Sequence, residues 1–185
     1  MKYDLNWIKS IFEKEEKLKY LFYWGHRPMK DGSIGKSCLS QWWESEFEVE
    51  QKLYKTSEHW MMAKKADLFG DEEILEQVYL AKTPREAKKL GRKVRNFKPE
   101  VWEENRYEIV KKGNYHKFSQ NESLKNFLLN TEKRILVEAS LVDSIWGIGL
   151  ASDADKIENP NTWKGLNLLG FAQMEVRDML LDELK

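Results

Sequence analysis

The sequence predicts an α+β fold, a mostly helical single domain over residues 1–185 with a few short β-strands. Three observations carry this expectation. Segments with helical spacing or capping signals outnumber strand-like runs. Strands and helices do not alternate in the order that builds a βαβ sheet. The chain has no linker rich in Pro, Gly and Ser to divide its 185 residues, and no internal repeat or low-complexity tract.

The elements follow in order. Leu5, Ile8, Ile11 and Phe12 recur at helical spacing, and Lys19 to Trp24 then reads as a strand stopped by Gly25 and Pro28. Residues 29–36 form a polar, glycine-containing loop. Glutamates at 44, 46, 48 and 50 alternate with Ser45, Phe47 and Val49, which predicts a strand with one solvated face, hairpinned onto residues 52–55. Thr56 or Ser57 caps a helix running to about Phe69, Gly70 closes it, and Asp71 caps the next. In Thr83-Pro84-Arg85-Glu86 a capping hydroxyl precedes a proline at the first helical position and a glutamate at the third, so a helix is expected from Pro84 to about Arg95. Pro99 opens another, ended by Gly113. Shorter helices fit residues 115–119 and 123–129, residues 134–139 turn β-like and apolar, and a final helix runs from Leu168 to about Leu184 with Asn167 as its cap.

Composition narrows the function classes. Thirty-one basic residues balance thirty-one acidic ones, so attraction to phosphate must be local rather than a property of the whole surface. Cys38 is the only cysteine, which forbids an internal disulfide and suits a reducing cytoplasm. Near the N-terminus Trp7, Ile8, Ile11 and Phe12 mix with Lys9, Glu13, Lys14, Glu15, Glu16 and Lys17. That pattern is neither a signal-peptide core nor a membrane span, and a soluble protein is expected. His26, His59 and His116 show no metal-site spacing, so no metal centre and no cofactor are expected. The eight tryptophans suit either an aromatic core or ring faces against ribose and base.

Three stretches carry candidate chemistry. In the helix of residues 57–66, Glu58, Met61 or Met62, and Lys65 share a stripe, because positions seven apart lie nearly two turns along one face. If that face is buried, desolvation lowers the lysine pKa and raises that of an unpaired glutamate; if it is solvated, these are surface charges. Residues 137–150 lead from a β-like run into a loop with Asp143, Trp146, Gly147 and Gly149, which combines a carboxylate, an aromatic wall and close backbone approach. The Gly-x-Gly here is not a dinucleotide fingerprint. Finally, residues 82–98 hold eight cations against Glu86 alone, and Ala87, Leu90 and Val94 turn Arg85, Lys88, Lys89 and Arg92 outward. That face either meets phosphates or is simply solvated, and no aromatic platform is expected within it.

Set together in order, Phe22-Tyr23-Trp24-Gly25, Leu39-Ser40-Gln41-Trp42-Trp43, the Thr56–Ala66 helix, Lys117-Phe118, Leu136–Ser140, Asp143–Leu150 and Trp163–Gly170 resemble the YbiA-like, or NADAR (NAD- and ADP-ribose-associated), family, most clearly over residues 20–181. The resemblance implies the YbiA-like fold and an N-glycosidase. Its substrates would be either phosphoribosyl-bearing riboflavin intermediates or ADP-ribosylated guanine in DNA or RNA, with an ADP-ribosyltransferase toxin as possible partner and no membrane involvement. It implies Glu58, Lys65 and Asp143 as catalytic residues, and Trp24, Gly25, Trp102, Trp146, Gly147, Gly149 and Asn167 as substrate-binding. Gln41 departs from the family's Leu-Ser-Asn-Phe element, where an asparagine is usual. A non-catalytic ADP-ribose reader is the competing class, and it would not need Glu58 and Lys65 together. A structural or motility-associated protein, the third class, leaves the Asp/Trp-Gly loop without a role.

Overall fold

The computed structural model describes residues 1–14 and 17–185; Glu15 and Glu16 of the charged N-terminal run lie outside the described residues. The elements in chain order are α1 (Leu5–Glu13), β1 (Tyr20–Tyr23), β2 (Phe47–Val49), β3 (Lys52–Tyr54), α2 (Ser57–Leu68), α3 (Glu72–Leu80), α4 (Pro84–Gly91), α5 (Pro99–Gln120), α6 (Glu122–Leu129), β4 (Ile135–Glu138) and α7 (Leu168–Asp182), with 3-10 turns at Lys36–Leu39 and Pro160–Thr162. Helices dominate and strands are few and short, as an α+β fold requires. No helix among the described residues is long and apolar enough to cross a membrane. The chain forms two compact units, Met1–Ser40 with Ser123–Lys185, and Gln41–Glu122.

In the first unit β1 and β4 pair in parallel, with Tyr20 opposite Ile135 and Tyr23 opposite Glu138. Leu136 and Val137 are fully buried, which is why Arg134–Ala139 reads as a continuous apolar run rather than an alternating one. Helix α7 covers β4, and Gly170 lets it come close: a Cβ there would collide with the Leu136 carbonyl. Arg177, itself buried, donates from Nη1 to Thr131 Oγ1 (2.7 Å) and to the Arg134 carbonyl (2.9 Å), fixing the entry into β4. The predicted capping role of Asn167 is corrected. Asn167 precedes α7 in a left-handed conformation (φ 53°), but its side chain makes no cap bond. It donates instead to the Leu136 carbonyl (2.9 Å) and accepts from the Glu138 N–H (3.0 Å), tying the start of α7 to the end of β4.

In the second unit β2 and β3 form a hairpin whose two turn residues, Glu50 and Gln51, both have positive φ (53° and 62°), the type I′ geometry that matches strand twist. The glutamates at 44, 46, 48 and 50 are exposed as the alternation predicts, although only Phe47–Val49 pairs as strand. Thr56 caps α2 and Asp71 caps α3 through side-chain oxygens, as expected. Helix α2 is buried from Ser57 through Ala63 because α3, α4 and α5 all pack on it. Two helix ends differ from expectation. α4 stops at Gly91 rather than Arg95, and the chain turns so that the Arg95 backbone and guanidinium both bond the buried Asp71 carboxylate. α5 runs through Gly113 to Gln120 and absorbs the separate helix expected at 115–119. Gly113 is a packing glycine there, since a Cβ would lie 2.8 Å from the Trp60 Nε1.

Candidate active site

The α2 stripe is buried along most of its length. Glu58, Met61 and Met62 are 2, 4 and 7% exposed, and Lys65 is half-buried one face-repeat further on. Seven residues separate Glu58 from Lys65, so they lie about 10 Å apart along one face. The Glu58 N–H donates to the Gln41 carbonyl (3.0 Å), and the Asn114 side chain on α5 donates to Gln41 Oε1 (2.9 Å). Gln41, which stands where the family's asparagine is usual, therefore holds a buried polar relay between the start of α2 and α5.

The Lys65 amine donates to the Gly91 carbonyl (2.9 Å) at the end of α4, and lies 4.1 Å from the Phe97 ring centroid and 5.6 Å from that of Trp102. Burial pushes its pKa below the ordinary lysine range, while the two ring faces favour the cation. Lys65 and Trp102 are thus brought together, and Phe97 joins them. Sequence reasoning did not single out Phe97 and expected no aromatic platform among the cations of residues 82–98; the structure corrects this, with Phe97 against Lys65 and Trp42 under Lys88 (5.7 Å). Gly91 is confined because a Cβ would lie 2.9 Å from Met62 Cγ and fall onto its sulfur.

In the first unit, the parallel strands bring their C-terminal ends side by side, so Trp24 and Gly25 after β1 lie next to the segment after β4; the Ala139 N–H donates to the Tyr23 carbonyl (2.9 Å). Trp24 is 66% exposed and Gly25 takes a left-handed φ of 79°. Asp143 Oδ1 accepts from the N–H groups of Ile145 (2.9 Å) and Trp146 (2.8 Å), which folds the loop around the carboxylate and orients Trp146. Gly147 and Gly149 are buried. The close approach that Gly147 permits is made by the chain itself, since a Cβ would lie 2.7 Å from the Glu138 carbonyl and 3.0 Å from that of Asp143. Gly149 has φ 66° and packs on Lys164. Asn167 is fully buried and bonded to β4, so its contribution to this loop is to hold the backbone.

Two residues outside the expected set stand out, one in each unit. Glu138 ends β4 beside the loop, and its charge, after burial, helps raise the Tyr23 hydroxyl pKa. Lys117 on α5 is completely buried with its amine 5.1 Å from the Phe118 ring centroid, a placement rare for lysine outside functional sites. Both stand in the motifs quoted above, and for Glu138 the clue was a charge at the end of an apolar run.

A cavity of about 340 Å³ lies elsewhere in the second unit, lined by Glu44, Glu46, Lys55, Thr56, His59 and Lys82 among others. It contains none of the expected site residues. Within it His59 is a structural group. Nε2 must donate to the Ala81 carbonyl (3.2 Å), which leaves neutral Nδ1 to accept from the Thr56 hydroxyl (2.8 Å), and burial lowers its pKa.

The NADAR domain family model matches residues 22–181. N-glycosidase R617 of Acanthamoeba polyphaga mimivirus is 39% identical over 165 residues, covering 86% of this chain and 95% of that protein. N-glycosidase YbiA of Escherichia coli (strain K12) is 32% identical over 135 residues, 73% of this chain and 76% of that protein. The NMR structure of E. coli YbiA covers 90% of this chain and 91% of its own at 25% identity, with a TM-score of 0.66. The chloroplastic riboflavin biosynthesis protein PYRR of Zea mays is 33% identical over 135 residues, 69% of this chain and 20% of that protein. With a family model matched over residues 22–181 and a relative 39% identical over 86% of its length, the chain belongs to the NADAR domain family, relatives of which bear the name N-glycosidase.

Proposed function

We propose that this protein is an N-glycosidase that cleaves the C–N bond between ribose and base, and that it removes ADP-ribose from guanine in nucleic acid. The observation that carries the reading is on α2: a buried carboxylate, Glu58, shares a helix face with Lys65, whose amine is desolvated between a carbonyl and two aromatic rings. A pocket that only bound nucleotide would gain nothing from burying both.

Cleavage builds positive charge at the anomeric carbon and negative charge on the departing base. In the proposed route the Lys65 amine attacks the anomeric carbon as the C–N bond to guanine breaks. Its electron pair leaves with the base, which takes up a proton. The ring-opened ribose is held as an imine on Lys65, and water hydrolyses the imine to free ADP-ribose and the amine. Glu58 carries the proton to the base or from the water. Asp143 is assigned by the resemblance of its loop as the second carboxylate, with Trp102 and Trp146 as ring faces for ribose and base. A guanine-modifying ADP-ribosyltransferase toxin is the matching partner.

The second reading is cleavage of a phosphoribosylamino-pyrimidine, favoured by the zero net charge of the chain and by the name of the maize relative. Incubation with an ADP-ribosyl-guanine oligonucleotide and, separately, with that pyrimidine, followed by mass spectrometry, tests both. Release of ADP-ribose with restored guanine supports the proposal. Turnover of the small compound alone selects the second reading, and binding without turnover of either makes the protein a reader. Borohydride should trap sugar on Lys65; a Lys65→Ala protein with full hydrolysis removes the lysine route in favour of direct attack by water.

A further inference from the structure

We infer that α4 and the turn after it form a track for the phosphodiester backbone of single-stranded nucleic acid, leading to the Lys65 cradle; the inference rests on the proposed function and names its substrate class. The track begins at Lys82 and ends where the Gly91 carbonyl receives the Lys65 amine at 2.9 Å. Eight helical residues at 1.5 Å each span about 12 Å, the length of roughly two nucleotides of extended strand.

Four features separate this face from an ordinary solvated one. Arg85, Lys89, Arg92 and Lys93 are exposed and Lys88 is half-buried. None of the five forms a salt bridge among the described residues, whereas Arg95, next in the series, is bound to Asp71 and Glu73. The single acid of the helix, Glu86, accepts from the Lys82 backbone N–H (2.8 Å) and so closes the capping box at the far end. Lastly, Trp42 lies beside the track with its ring centroid 5.7 Å from the Lys88 amine, so an aromatic ring borders the cations as it does in single-strand binding grooves. Five cations without acidic partners on a chain of zero net charge make a local field rather than a general one. A narrow track suits one strand better than a duplex, and a glycosidase must reach its bond on an unstacked base.

The test uses the full chain and the triple variant Arg85→Gln, Lys89→Gln, Arg92→Gln. Binding of an unmodified fluorescein-labelled 12-nucleotide DNA strand is read by anisotropy from 50 to 300 mM NaCl. Loss of three phosphate contacts should lower the slope of log K against log salt by about 2 and weaken binding about a hundredfold near 0.1 M salt. Lys89→Arg should bind like wild type, and unchanged far-ultraviolet circular dichroism establishes that the triple variant is folded. Hydrolysis is followed in parallel on a modified oligonucleotide and on ADP-ribosyl-guanosine, and only the oligonucleotide should show a raised KM. An unchanged slope, or equal loss on both substrates, overturns the inference. A wild-type protein that hydrolyses neither substrate while the triple variant still loses strand binding overturns the proposed activity and leaves the track standing.

Discussion

Asn167→Ala separates a residue that holds backbone from one that touches substrate. The side chain is completely buried and serves two strand-end groups, the Leu136 carbonyl at 2.9 Å and the Glu138 N–H at 3.0 Å. Truncation removes the side chain that a buried carbonyl and a part-buried N–H both use. At about 1–3 kcal/mol for each orphaned group, the loss is roughly 2–6 kcal/mol. Alanine at a φ of 53° adds about 1–2 kcal/mol that Asn167→Gly would avoid, so the glycine variant should melt higher than the alanine one. For a chain of this size each kcal/mol moves the melting temperature by about 2–4 °C, which predicts a fall on the order of 10 °C for Asn167→Ala. Circular dichroism melting and urea titration measure it, and kcat and KM are taken on the surviving fold. A melting temperature within about 2 °C of wild type, together with a raised KM, would refute the backbone role and make Asn167 a substrate contact.

Gly113→Ala should destabilise by about 1–3 kcal/mol although alanine is the better helix former, because the methyl would press on the Trp60 indole; a higher melting temperature would contradict that packing. Stability should decline as pH falls below the ordinary histidine value of 6.5, because His59 is buried neutral and the unfolded chain takes up the proton first. The decline should shrink in His59→Gln, as melts at pH 7.5 and 5.5 would reveal. Burial holds Lys65 below the ordinary lysine range, so hydrolysis through its free amine should rise with pH along a limb centred below 10.5, and that limb should be missing from residual activity in Lys65→Ala. Gln41→Ala should lower the kcat of a folded protein through the positioning of α2, because it removes the side-chain acceptor of the buried Asn114 amide and disturbs the segment whose carbonyl receives the Glu58 N–H.

Near-neighbour signals made most elements legible in the sequence. Thr56, Asp71 and Thr83 cap the helices that follow them because a hydroxyl or carboxylate reaches an N–H only two or three residues ahead. The 44–50 alternation and the apolar run at 135–137 express the exposure of one face and the burial of both. The shared face of Glu58 and Lys65 followed from helical geometry alone, and the family followed from motif order. What surrounds those residues did not. Gly113 reads as a terminator until Trp60 is seen to occupy the space above it, and α4 ends early because Asp71, 24 residues back, captures Arg95. The amine of Lys65 finds its acceptor 26 residues away and its ring at Phe97, and Asn167 binds a carbonyl 31 residues before it. Sequence by itself determined which residues are chemically able to act and which face each presents, since those depend on local backbone period and capping. Tertiary structure alone decided which charges are desolvated and what they touch, because burial and hydrogen-bond partnership arise only when distant segments pack.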